Sequence, residues 1–319
     1  MPGDRIRLTE LSGVLISLPQ LPPPVGPGDR VGVAALSGPV DPVRLEAGLA
    51  ELRRLGLTPV LADNLLARSA NGLFAGEDAE RLAAFHRLAA EPDLPAILFA
   101  RGGYGVPRIL PWIDWDLLRR YPRAYVGYSD LTPFLLEVVR RLGLVAFHGP
   151  MVAVELARGL VAEEETSFLE ALAGLYPLSL PFRSWLRPPR EAVSGPLLGG
   201  CLSLLTATLG TPWAADLEGA LLFWEDVNEP LYRIDRQLTH LRLSDSLGRI
   251  AGMIVGHVDA GAVAPEVDWP ARVAEGLAGL DFPVAWGMDS GHRQPNRTLP
   301  LGLSAWMEND DHRLWLGRG

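Results

Sequence analysis

The stretch Ala124-Tyr125-Val126-Gly127-Tyr128-Ser129-Asp130-Leu131-Thr132-Pro133 sets a serine two residues after the glycine that ends an apolar run, and a helical pattern follows. Strand, sharp turn and helix in that order make a nucleophile elbow, which holds a serine hydroxyl out at the carboxyl end of a sheet. The positive end of the helix favours an oxyanion there. The pattern is short, Leu131 stands where a second glycine is usual, and a serine at this point also serves as an ordinary helix cap.

A serine nucleophile needs a base within hydrogen-bond reach and a third group to orient that base. Of the six histidines, His86 and His240 fall inside helical patterns, His312 lies in a C-terminal hairpin pattern, His257 follows a strand and His148 ends one. His292 sits in the polar loop Gly287 to Asn296, directly after the strand pattern Val284 to Trp286. Loops at strand ends are where α/β proteins build their sites, although a loop histidine without a task is the commoner case. For the orienting acid, the run Leu221-Leu222-Phe223-Trp224-Glu225-Asp226 puts carboxylates at the end of a very apolar strand. A carboxylate there is partly desolvated and needs a partner, which an imidazolium supplies. Glu225 is preferred to Asp226 and Glu229, which also suit the first turn of the helix starting near Pro230.

The turn Arg101-Gly102-Gly103-Tyr104-Gly105 lets backbone N–H groups approach a ligand closely. It lacks the Gly-x-Gly-x-x-Gly spacing and position of a dinucleotide loop. Its better reading is a second oxyanion donor beside the Asp130 amide. Arg101, Arg233 and Arg236 are candidates for binding a carboxylate, since a guanidinium matches one in bidentate fashion. Tyr104 is a further candidate for contact with substrate. No histidine pair has the His-x-x-x-His spacing of a metal site, so no metal or cofactor is expected. Cys201, the single cysteine, is read as a packed thiol.

Positioning these groups requires a large core, and 319 residues with 48% apolar and 21% charged content supply one. Twenty-nine basic against 38 acidic residues give a net charge of −9, which disfavours nucleic acid and anionic membranes as partners. No apolar run reaches the roughly 18 to 20 residues of a membrane span, and a lone cysteine suits a cytoplasmic location. Residues 1–28, with Pro22 to Pro24, read as an extended arm. Residues 29–180 alternate strands (30–36, 57–61, 96–100, 124–127) with helices (starting at Pro42 behind the cap Asp41, near 77–90, and near 133–142), the signature of a parallel, helix-covered sheet. The Pro- and Arg-rich passage 181–190 reads as a linker. Residues 191–319 hold strands at 220–224 and 250–255, a helix bearing Leu231, Ile234, Leu238 and Leu241, and a hairpin at 304–316.

Taken together, RGGYG, VGYSDLTPFL, PLLGGCLSLLTATLGT, LLFWEDVNEPLYRIDRQL and GHRQPNRTLPLG, co-linear from about Leu21 to Leu303, resemble the LD-carboxypeptidase family. That family includes murein tetrapeptide carboxypeptidases and microcin C self-immunity peptidases. The resemblance implies a flavodoxin-like N-terminal domain, a smaller β-rich C-terminal domain and a site in the cleft between them. It implies a Ser-Glu-His triad at Ser129, Glu225 and His292, with Gly103 and Asp130 as oxyanion amides. The implied reaction hydrolyses the amide between an L-centre and a C-terminal D-amino acid, releasing D-alanine from murein tetrapeptides. A peptidyl-nucleotide antibiotic is the alternative substrate, and a peptide-binding module without turnover the non-enzymatic one. Homodimers are common in the family. Arg293 departs from the usual Gly-His-Gly segment, which bears on the shape and affinity of the pocket.

Overall fold

A computed structural model describes residues 19–261 and 267–317. In the first half the elements run β1 (Arg30–Ala34), α1 (Pro42–Arg54), β2 (Thr58–Leu61), α2 (Asp78–Ala89), β3 (Ala96–Phe99), α3 (Val106–Ile109), α4 (Trp115–Arg120), β4 (Ala124–Gly127), α5 (Thr132–Glu137), β5 (Ala146–His148) and α6 (Ala162–Ala173). Five strands lie parallel in the order β2-β1-β3-β4-β5. This is the flavodoxin-like winding, whose order reverses between β1 and β3. β3 and β4 are buried at every position, as strands covered by helices on both faces must be. Asp41 caps α1 by accepting the Arg44 N–H at 2.9 Å, with Pro42 in the first turn. The helix expected near 133–142 starts at Thr132, and its last turn, Val138–Leu142, widens to π geometry.

The second half contributes β6 (Leu178–Pro181), β7 (Ser184–Arg187), β8 (Val193–Cys201), α7 (Leu202–Ala207), β9 (Leu221–Asp226), α8 (Leu231–Leu243), β10 (Gly252–Val258), α9 (Trp269–Gly276), β11 (Val284–Trp286), β12 (Leu299–Leu301), β13 (Ser304–Met307) and β14 (Arg313–Leu316). Eight of these strands form a mixed sheet in the order β6-β14-β13-β8-β9-β10-β11-β7. β9 is buried throughout, and Phe223 and Trp224 are fully enclosed, each side chain worth about 1.5–3 kcal/mol of burial.

The chain does not divide where composition suggests. The passage read as a linker, 181–190, contains β7, which pairs antiparallel with β11. Arg187 within it is tied down by the carbonyls of Leu280, Phe282 and Leu277. Proline and arginine content hides this strand because an edge strand tolerates both. Conversely, β12 leaves the second half and pairs antiparallel with β5, completing the first sheet. Of the expected arm, residues 1–18 lie outside the described residues. Residues 19–28 are anchored, with Gln20 bridging Leu144 and Val25 buried.

Candidate active site

Parallel winding directs the carboxyl ends of β1, β3, β4 and β5 to one rim, and the loops after them carry Gly38, Arg101 to Gly103, Ser129 and Met151. A cleft of about 250 Å³ opens there, lined by Asp41, Arg44, Arg101, Gly102, Gly103, Tyr128, Ser129, Met151, Ala153, Val154 and His292.

Ser129 has φ +63°, the left-handed region that non-glycine residues rarely occupy. Such a turn lifts the hydroxyl clear of the sheet. Its neighbour Tyr128 is pinned from below: the phenol donates to Glu155 Oε1 at 2.8 Å, while Glu155 Oε2 accepts the Met151 N–H at 2.9 Å. Burial pushes both the Tyr128 phenol and the Glu155 carboxyl upward. Gly102 packs against the elbow so closely that a Cβ there would meet Ser129 Oγ at 3.0 Å, Ser129 Cβ at 2.9 Å and the Asp130 nitrogen at 3.5 Å. Gly102→Ala is therefore expected to displace the hydroxyl and lower kcat by about ten- to a hundred-fold with little change in KM, as steady-state kinetics will show.

The second half of the chain supplies the partners. His292 Nε2 lies 3.1 Å from Ser129 Oγ, and His292 Nδ1 lies 2.6 Å from Glu225 Oε2. Glu225 Oε2 also accepts the His292 backbone N–H at 3.2 Å. Gly291 permits this approach: φ is +117°, and a Cβ there would fall 2.5 Å from Glu225 Oε2. Glu225 is fully buried, which by itself raises a carboxyl, but the adjacent imidazole of His292 overrides burial and holds it below the ordinary value. Burial disfavours the His292 imidazolium, yet the charge and hydrogen bond of Glu225, with Asp226 and Glu155 behind, raise it above the ordinary histidine value. His148, enclosed between Tyr128 and Phe223, is held down to about 4 by burial and stays neutral beside this pair. Asp226, also buried and next to Glu225, is pushed up to about 6 and accepts the Ser203 and Val227 N–H groups.

The carboxylate of Asp130, open in the sequence to a helix-capping role, has another task. Asp130 Oδ2 accepts the Ser37 hydroxyl at 2.7 Å and the Val106 N–H at 2.8 Å, tying the loops after β1 and β3 to the elbow. Burial raises it and these hydrogen bonds oppose the rise. Gly103, φ +113°, lines the cleft in a conformation that favours glycine.

Arg101 lines the cleft, with Nη1 donating to the Pro39 carbonyl at 3.1 Å. Arg44 shares that wall and was not singled out in the sequence. Its Nε donates to the Ala153 carbonyl at 2.8 Å. Helical periodicity marks Arg44 only as an outer residue of α1, so no sequence signal distinguishes it. Tyr104 and Arg233 are not among the lining residues: Tyr104 is exposed and packs against Phe74, and Arg233 is exposed on α8 within 3.7 Å of Glu229. Arg293 makes an ion pair with Asp259 at 2.8 Å and is not among the lining residues of the cleft. Cys201 is buried. Among the described residues no group of three His, Cys, Asp or Glu side chains is placed to hold a metal, and no helix is long and apolar enough to cross a membrane.

Comparison with known proteins gives the same two halves a name. The LD-carboxypeptidase N-terminal domain matches residues 31–149, and the LD-carboxypeptidase C-terminal domain matches residues 194–307. A Bacillus subtilis protein named "probable murein peptide carboxypeptidase" is 34% identical over 310 residues, covering 92% of this chain and 93% of its own. The murein tetrapeptide carboxypeptidase of Pseudomonas aeruginosa is 31% identical over 291 residues, 88% of this chain and 94% of its own. The microcin C7 self-immunity protein of Escherichia coli is 28% identical over 331 residues, 93% of this chain and 96% of its own. A solved wild-type apo structure of microcin C7 self-immunity protein superposes with a TM-score of 0.85 at 25% identity, covering 94% of this chain and 99% of that one. With both domain models matched in order and relatives alike along nearly the whole length, the chain belongs to the LD-carboxypeptidase family.

Proposed function

We propose that this protein is a serine LD-carboxypeptidase that removes the C-terminal D-amino acid from murein tetrapeptides. The observation that carries the reading is the single imidazole of His292 set between Ser129 Oγ and the buried Glu225 carboxylate, at 3.1 and 2.6 Å. Neutral His292 takes the Ser129 proton as the oxygen attacks the carbonyl carbon, and Glu225 fixes the tautomer and stabilises the imidazolium. The oxyanion collects against the Gly103 and Asp130 amides. His292 then gives the proton to the leaving amine. Water, deprotonated by the same imidazole, cleaves the acyl-enzyme and regenerates the serine.

Arg101, on the cleft wall, is assigned to the free carboxylate of the substrate. A charge-assisted hydrogen bond of this kind contributes about 1.5–3 kcal/mol. Arg101→Met is expected to raise KM by about ten- to a hundred-fold for a free C-terminus while kcat moves little. A KM unchanged by the substitution removes Arg101 from this role.

The proposal is tested by amino-acid release from murein tri-, tetra- and pentapeptides, with Ser129→Ala as control. Preferential release of D-alanine from the tetrapeptide is expected, and equal cleavage of all-L peptides rejects it. The likeness to the microcin C7 self-immunity protein supports a second substrate, a peptidyl-nucleotide. Against it, among the described residues the cleft lining contains no tryptophan, and the one phenol there, Tyr128, is 2% exposed. Incubation with an aminoacyl sulfamoyl adenosine separates the two substrates. A cytoplasmic location, which the lone cysteine suits, and a homodimer, on the family resemblance, complete the proposal.

A further inference from the structure

The loop carrying His292 is strung between the two sheets, leaving β11 at Trp286 and entering β12 at Leu299. On the side facing the first half it meets Glu164 of α6, which is fully buried. Both carboxylate oxygens of Glu164 are occupied. Oε1 accepts Arg158 Nη2 at 2.5 Å and the backbone N–H of Asn296 at 2.6 Å; Oε2 accepts Arg158 Nη1 at 2.8 Å and the Val161 N–H at 3.1 Å. The guanidinium of Arg158 grips the buried carboxylate in bidentate fashion, and hydrogen bonds within an ion pair are the stronger ones. Asn296, itself fully buried, passes the constraint on: its Oδ1 accepts the N–H of Gly291, the residue before His292, at 2.9 Å. Two residues further along the loop, Ser167 of the same helix accepts the Thr298 N–H at 3.1 Å.

We propose that Glu164 is a positioning residue for the base, acting through Asn296 and Gly291 to hold the His292 ring over Ser129. The inference rests on the reading of Ser129 and His292 as nucleophile and base. Glu225 fixes the imidazole from the side of the second sheet, and Glu164 fixes the peptide bearing it from the side of the first. Without Glu164 the loop loses its charged anchor on the half that holds the nucleophile, and the ring drifts relative to the hydroxyl. A misplacement on the order of 1 Å costs about a hundred-fold in rate.

The test uses the full chain and two readouts: steady-state hydrolysis of tetrapeptide, and the rate at which Ser129 displaces fluoride from an alkyl fluorophosphonate. Glu164→Met keeps the volume and removes the acceptor. Asn296→Ala removes the relay while leaving the Glu164–Arg158 pair. Each is expected to lower both kcat and the labelling rate by about ten- to a hundred-fold, with KM within about two-fold, and Glu164→Gln, which retains an acceptor oxygen, recovers most of both. Because the two residues act in series, the double variant is no slower than the slower single one. Wild-type labelling rates in Glu164→Met overturn the proposal. Should that variant not fold, a wild-type rate in Asn296→Ala overturns it equally, as do additive losses in the double variant. A wild-type protein that neither labels at Ser129 nor releases an amino acid rejects instead the underlying reading of the site.

Discussion

Ser129→Ala is expected to fold normally and to lose turnover by about 10⁴- to 10⁶-fold, the scale seen when a catalytic serine is deleted from an otherwise intact triad. The remaining groups act as a unit around that oxygen: with no hydroxyl at 3.1 Å, His292 has nothing to deprotonate. A glycine at the same position separates chemistry from backbone strain. Ser129 sits at φ +63°, where alanine is strained and glycine is not. Ser129→Gly is therefore expected to be as inactive as Ser129→Ala yet more stable than it by about 1 kcal/mol in urea denaturation. Retention of more than about one per cent of wild-type turnover in either variant would remove Ser129 from the nucleophile role, given how little a triad retains without its serine.

The second large effect concerns Glu225. Glu225→Gln preserves shape but cannot stabilise the imidazolium or enforce the tautomer that presents an acceptor to the serine, so kcat falls by about 10⁴-fold. The pH profile carries an independent signature. His292 must be neutral to accept the serine proton, so wild-type kcat/KM declines as pH falls through the His292 pKa, which lies above the ordinary value of 6.5 because Glu225 favours the charged ring. In the variant that partner is gone while burial remains, so the acid limb moves to lower pH. An inflection that stays in place argues that some other group governs the limb.

Much of this candidate site is legible because its proposed chemistry is local in sequence. Gly127 to Thr132 encodes an elbow, and Glu225 ends a run too apolar for an uncompensated carboxylate. The side chains standing behind these groups left no such trace. Glu164 is the middle of three consecutive glutamates in an ordinary first helical turn, and its burial, its pairing with Arg158 and its approach to Asn296, 132 positions away, set it apart from its neighbours. Asn296 and Gly291 fall inside the segment GHRQPNRTLPLG, and nothing in spacing shows that an amide side chain turns back five residues. Asp130 drew attention for its backbone, while its carboxylate reaches Ser37 across 93 positions. The fold followed the same division. Alternation of apolar runs with amphipathic ones gave the parallel sheet, while β7 and β12, three or four residues each, carry too little periodicity to reveal which sheet they join.

That three-residue return of β12 to β5 has a bearing on how relatives of this protein recombine. A chimera made by joining the front of one homologue to the back of another at a single point imports a foreign border strand into the Rossmann-type layer, opposite Ala146 to His148. A viable graft has to transplant 299–301 together with the front segment, as two cuts in the gene and one unit in space.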